Sequence, residues 1–144
     1  MKVHQILKSK SDDSVATIEP GKTVADAAAL LSERRIGAVI VSEDGTSPMG
    51  ILSERDIVKA LGARGTDCLQ DEVQAMMTSK IVSCAREDAA EDVLTKMTEG
   101  RFRHMPVIEE GRMVGLISIG DVVKARLSEL AMERDALQDM VMGH

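Results

Sequence analysis

The chain has 144 residues, enough for one compact domain or two small ones, and its 44% hydrophobic and 29% charged residues mark a folded globular chain. A net charge of −6 repels a phosphate backbone, and with no Trp, no Tyr and a single Phe (Phe102) the chain has no aromatic platform for bases. Nucleic acid is therefore not an expected partner. No apolar run approaches the roughly 20 residues that span a bilayer, and MKVHQILKSKSDDS lacks the continuous apolar core of a secretory signal. The expected location is the cytoplasm, where Cys68 and Cys84, not a CxxC pair, stay reduced. A redox role for Cys84 is the minor alternative. His4, His104 and His144 are scattered without metal-ligand spacing, so no metal is expected.

In chain order, the first predicted element is a short strand, SVATI, at residues 14–18. An amphipathic helix follows, with Val24, Ala27, Ala28 and Leu31 at helical spacing. AVIVSEDG (38–45) reads as a strand ending in a Gly turn, MGILS (49–53) as its return strand, and a helix begins near Glu54. Residues 67–77 read as a linker. The same order then recurs. KIVSC (80–84) is a strand, and Ala90, Val93, Leu94 and Met97 mark a helix. HMPVIEEG (104–111) and MVGLIS (113–118) form a hairpin, and a helix begins near Ile119. GILSERDIVKA, from Gly50, is echoed by GLISIGDVVKA, from Gly115, and the one-residue difference between the copies falls in the hairpin, where a repeat tolerates it.

The expected architecture is α/β (α+β). It consists of two β-α-β-β-α repeats, 1–66 and 67–128, the second including its entry linker, and a C-terminal helical tail, 129–144. About 60 residues make a marginal core, so the two repeats are expected to pack around a pseudo-twofold axis, leaving two related clefts at the strand ends. In the tail, Leu127, Leu130, Leu137 and Val141 form one stripe interrupted by Arg134. This reads as an amphipathic helix packing on a partner subunit or on its own domain. Met76, Met77, Met97, Met105 and Met113 read as fillers of core gaps.

Ser53-x-x-Asp56 and Ser118-x-x-Asp121 each stand where a strand gives way to a helix. On their own they match a capping box, which needs no ligand. GKT at 21–23 lacks the upstream Gly of a P-loop, since position 16 is Ala, and there is no GxGxxG. No catalytic set is assembled, so the chain is not expected to be an enzyme.

The two fragments IGAVIVSEDG…MGILSERDIV and RFRHMPVIEEGRMVGLISIGDVV resemble a pair of CBS domains, over about residues 3–128. The resemblance implies a regulatory module, with no catalytic cofactor, that binds an adenosine-containing ligand between the repeats. AMP, ADP, ATP, NAD(H) and S-adenosylmethionine are the ligands implied. It also implies a homodimer and a protein partner, unidentified, and gives no reason to expect a membrane role. The family's nucleotide motif matches Gly50, Ser53 and Asp56, and again Gly115, Ser118 and Asp121.

In that reading Asp56 and Asp121 accept hydrogen bonds from ribose hydroxyls. Ser53 and Ser118, with the first free helix amides, face phosphate, and Arg55 is a further phosphate candidate opposed by Glu54. Arg103 and His104 either bind phosphate or form a solvated basic edge; for Arg101 the solvated edge is preferred. The adenine slot would be walled by Ile18, Gly37, Ala38 and Val39 in one copy and by Val82, Met105 and Pro106 in the other. The alternative is a dimeric interaction module without a ligand.

Overall fold

The computed structural model describes residues 1–10 and 15–143. Ser14, at the head of the expected first strand, and His144 lie outside the described residues. The elements in chain order are α1 (Val3–Ser9), β1 (Thr17–Ile18), α2 (Val24–Arg34), β2 (Ala38–Val41), β3 (Gly50–Ser53), α3 (Glu54–Arg64), a 3-10 helix (Gly65–Gln70), α4 (Val73–Met76), α5 (Ala90–Gly100), β4 (His104–Glu109), β5 (Arg112–Ser118) and α6 (Ile119–Met142). The described residues divide into two compact units. One comprises 15–82 and 109–114, the other 1–10, 83–108 and 115–143.

In the first unit, β1 pairs parallel with β2 (Thr17 with Ile40, Ile18 with Val41), and β2 pairs antiparallel with β3 (Ala38 with Ser53, Val41 with Gly50). All four residues of β2 are buried. A strand covered on both faces reads as a continuous apolar run, as AVIV does. Val39, Val41 and Leu52 pack with Val24, Ala27 and Leu31 of α2, Ile57 of α3 and Val73 of α4. The expected linker is thus ordered and contributes Val73 to the core. Ser42 holds the turn between β2 and β3: its hydroxyl donates to the Ser47 carbonyl at 2.8 Å and accepts from the Gly45 amide at 3.0 Å.

In the second unit the strand expected over KIVSC is reduced to a single parallel bridge between Cys84 and Val107. Proline explains the loss. In the first repeat the Ile40 amide donates to the Ala16 carbonyl and the Ser42 amide to that of Ile18. The second bond has its counterpart, Ile108 N–H to the Cys84 carbonyl at 2.9 Å. Pro106 stands where Ile40 stands and has no N–H, so the first bond has none. The β4–β5 hairpin, whose tip at 109–114 is counted with the first unit, turns on Glu110 and Gly111, whose φ values of 50° and 78° are the positive pair a two-residue type I′ turn requires.

Helix α1 belongs to this second unit and holds there the place that α4 holds in the first, where Val73 N–H bonds Lys22 O, Gln74 N–H bonds Pro20 O and Val24 N–H bonds Asp71 O. α1 buries Val3, Ile6 and Leu7. Backbone bonds tie its start to the approach of α5: Val3 N–H to Asp88 O, His4 N–H to Arg86 O, and Ala90 N–H to Met1 O. The last of these satisfies an amide at the start of α5, whose N-cap Ala89 has no side-chain acceptor.

The two motif glycines are packing residues. A Cβ on Gly50 would lie against the Met77 sulfur and 2.9 Å from the Thr78 carbonyl oxygen. A Cβ on Gly115 would meet the Leu7 methyls at 2.7 and 3.0 Å. A buried leucine side chain can shift more readily than a paired backbone, since Thr78 N–H and C=O both bond Ile51. We therefore expect Gly50→Ala to lower unfolding free energy, read by urea titration, by more than Gly115→Ala does, each within about 1–3 kcal/mol.

Candidate functional site

Both Ser-x-x-Asp segments form the same junction, with no connecting residue between strand and helix. Ser53 ends β3 and caps α3; Ser118 ends β5 and caps α6. In each, the serine hydroxyl accepts from the aspartate amide (3.2 Å at Ser53, 3.1 Å at Ser118). The aspartate Oδ2 in turn accepts from the serine amide, at 2.9 Å in both. This is a complete capping box with Asp in the place of the usual Glu or Gln. Thr23 and Asp26 form the same box at the start of α2. Capping geometry alone therefore does not mark the two junctions as sites; what sets them apart is their recurrence at the same point of both repeats.

Their surroundings differ. At the first junction the Glu54 amide donates to the carbonyl of Gly37 at 2.9 Å. At the second, the Ile119 amide donates to the carbonyl of Arg103 at 2.7 Å. Arg103 thus holds, next to its junction, the position that Gly37 leaves without a side chain. The structure also brings up Lys10, just after α1. Its ammonium lies 3.0 Å from Asp121 Oδ2 and donates to the Leu116 carbonyl at 2.9 Å. Among the described residues Asp56 forms no ion pair, and the Ser53 hydroxyl donates to its Oδ2 at 3.0 Å instead. Burial pushes the Asp121 carboxyl up, but the Ser118 amide and the Lys10 ammonium outweigh it and hold the group below its ordinary value.

Of the remaining candidates, Ile18, Ala38, Val39, Met105 and Pro106 are buried. Ile18 and Val39 belong to the core cluster of the first unit. Gly37 and His104 are half-buried, while Arg55, Arg103 and Val82 are exposed. Arg101 sits at φ 56°, ending α5 in the left-handed conformation, as Arg35 does at φ 55° after α2. Lys10 was not read from the sequence: VHQILKSK (3–10) is matched by VQAMMTSK (73–80), with Lys80 in the place of Lys10, but no motif sets either lysine beside an aspartate.

Cys84 is buried, and desolvation, with the Asp88 charge adding to it, pushes its thiol up to about 12. A thiol held protonated at neutral pH is a poor nucleophile. Among the described residues no group of three or more His, Cys, Asp or Glu is placed to hold a metal ion. None of the described helices is long and apolar enough to cross a membrane.

Two repeats, each closing a strand directly onto a capped helix, define a tandem-repeat module of α+β type. The chain belongs to the CBS domain family, whose model matches residues 6–63 and 72–128. It is 33% identical to an uncharacterized 17.7 kDa protein of Acidianus ambivalens, over 99% of this chain and 83% of that one. With the CBS domain-containing protein YhcV of Bacillus subtilis it shares 30% identity over 85% of this chain and 86% of the relative. Among solved structures, the CBS-domain containing protein ATU1752 from Agrobacterium tumefaciens superposes with a TM-score of 0.83 at 41% identity, covering 88% of this chain and 99% of that one. The CBS domain protein PAE2072 from Pyrobaculum aerophilum, solved in complex with AMP, gives 0.78 at 25% identity, covering 92% and 99%. A hexameric CBS-CP12 protein from bloom-forming cyanobacteria gives 0.74 at 30% identity, over 85% and 69%. None of these relatives is named for a catalysed reaction.

The lowered carboxyl of Asp121 carries a sign. A carboxylate whose folded value lies below its unfolded one contributes stability that is present above the unfolded value, about 3.9, and is lost as pH falls through the folded value. Lys10→Met should therefore unfold at lower urea than wild type at neutral pH. The gap between the two should close as the medium is acidified below about pH 4. A second expectation concerns the thiols: Cys84 in the folded protein should react with a disulfide reagent far more slowly than in urea, as followed by absorbance.

Proposed function

We propose that the protein is a non-catalytic regulator that binds an adenosine-containing nucleotide, of the AMP, ADP, ATP or NAD type, at its Ser-x-x-Asp junctions and passes the bound state to a protein partner. The observation that carries this reading is the same strand–Ser–helix–Asp junction built twice, in a chain similar over most of its length to a protein solved with AMP. In each junction both reciprocal cap bonds leave Oδ1 of the aspartate able to accept from a ribose hydroxyl, a charge-assisted bond. Asp56 and Asp121 take the ribose. Ser53 and Ser118 can share their hydroxyls with a phosphate, supported by Arg55 at one junction and by Arg103 and His104 at the other. Adenine would lie along Ile18, Gly37, Ala38 and Val39, or along Val82, Met105 and Pro106, using backbone groups for its polar edge.

A specific observation favours a companion reading, a homodimeric interaction module. Within the 24-residue α6 only Val122 and Ala125 are buried. Val123, Leu127, Leu130, Leu137 and Val141 are exposed along one side, beside Arg134. A contiguous apolar stripe of this kind marks an interaction surface. With ligand binding at the junctions and dimerisation through α6, the two readings are compatible.

A thermal-shift panel of AMP, ADP, ATP, NAD, NADH and S-adenosylmethionine tests the first. At a hundredfold excess over the dissociation constant, binding should add roughly 2.7 kcal/mol. Asp56→Ala and Asp121→Ala should each weaken the ligand at their own junction. No shift with any of the six at millimolar concentration overturns the nucleotide reading and leaves the ligand-free module. For the second, light scattering should show a dimer in wild type and a smaller species in Leu130→Glu/Leu137→Glu; an unchanged mass would place the dimer contact elsewhere.

A further inference from the structure

We infer that Lys10 is a specificity-determining residue that makes the second junction the one for phosphate-bearing adenosine ligands and leaves the first better suited to uncharged ones. The inference rests on the reading of Ser118 and Asp121 as a ribose-and-phosphate site and assigns that site its ligand class. Three observations support it, all made within one compact unit at a time.

The first is how Lys10 is held. Its side chain is only a quarter exposed, and its ammonium is fixed by two acceptors, Asp121 Oδ2 at 3.0 Å and the Leu116 carbonyl at 2.9 Å. An ammonium has three donors, so a third remains for a ligand oxygen without either bond being broken. A lysine free in solvent must lose side-chain entropy when it engages a phosphate; Lys10 is already ordered.

The second is the charge balance. The second junction sets Lys10 and Arg103 against Asp121, two cations to one carboxylate. At the first, Arg55 stands in the sequence between Glu54 and Asp56, one cation to two carboxylates, and the residue matching Arg103 is Gly37. Lys59 and Lys124 occupy equivalent places in α3 and α6 and do not separate the two; Lys80, the counterpart of Lys10 after α4, is exposed and forms no ion pair with Asp56 among the described residues.

The third is what each aspartate offers. At Asp56 the Oδ2 contact beyond the cap is a serine hydroxyl, which rotates away at little cost. Asp121 is neutralised by a cation, which lets a dianionic group approach a carboxylate that would otherwise repel it. Asp56 has no such partner among the described residues, so a ribose with a phosphate attached meets uncompensated negative charge there.

The experiment compares adenosine and AMP by calorimetry on the intact chain in wild type, Lys10→Met and Lys10→Arg. Wild type should bind AMP more tightly than adenosine. Lys10→Met should weaken AMP about tenfold while moving adenosine less than about twofold, and Lys10→Arg, which keeps the charge, should retain the AMP preference. The inference is overturned if Lys10→Met leaves the AMP-to-adenosine ratio unchanged. It is equally overturned if both variants lose AMP and adenosine alike, the mark of a purely structural residue. If wild type binds neither compound, the parent reading of the site falls and this one with it. Binding with an unaltered ratio removes this inference alone.

Discussion

A helix that starts directly off a strand must satisfy its first amides with the last residue of that strand. Ser53 and Ser118 meet this constraint: each is at once the end of a strand and the N-cap of a helix. A loop would let the helix axis drift relative to the sheet; here the reciprocal Ser–Asp bonds fix it. Everything at the candidate site follows from this arrangement. The aspartate is oriented because one oxygen is tied to its own N-cap amide, and the neighbouring strand is drawn in because the first helix residue donates to it, Glu54 to Gly37 and Ile119 to Arg103.

The repeats share this junction and differ in what surrounds it. In the first unit a parallel strand completes the sheet, and the chain at Met77–Thr78 closes over Gly50. In the second, Pro106 cancels one ladder bond and the strand shrinks to a bridge, while α1 packs Leu7 over Gly115. The same glycine in the same motif is thus covered by equivalent residues, Met77 beside α4 and Leu7 in α1. α1 sets Lys10 on Asp121, whereas Lys80, its counterpart after α4, is exposed and forms no ion pair with Asp56 among the described residues.

What could be read from the sequence divides along a physical line. Local chemistry was legible: the helical spacing of Val24, Ala27 and Leu31, the turn at Gly111, and the recurrence of Gly-h-h-Ser-x-x-Asp. Non-local partnership was not. VHQILKSK is echoed only faintly by VQAMMTSK (73–80); its helix is held by bonds to residues 86, 88 and 90, which no window of sequence contains. The KIVSC strand was expected because its residues favour strands, and it was lost because of a proline in a different segment. The linker 67–77 read as a connector because its deep residues, Cys68 and Val73, make no periodic pattern. The junction residues were found by pattern, and Lys10 only by geometry.

Helix α6 has a mechanical consequence. At 1.5 Å per residue its 24 residues extend roughly 36 Å, and it is held over its first three turns, by buried Val122 and Ala125 and by the Met1 ammonium on Glu129 Oε2. The anchored end is the one that contains Asp121. A change of tilt of about 5° at that end, acting on a rod of this length, carries the far end through roughly 3 Å. The apolar surface of Leu137 and Val141 lies at that far end.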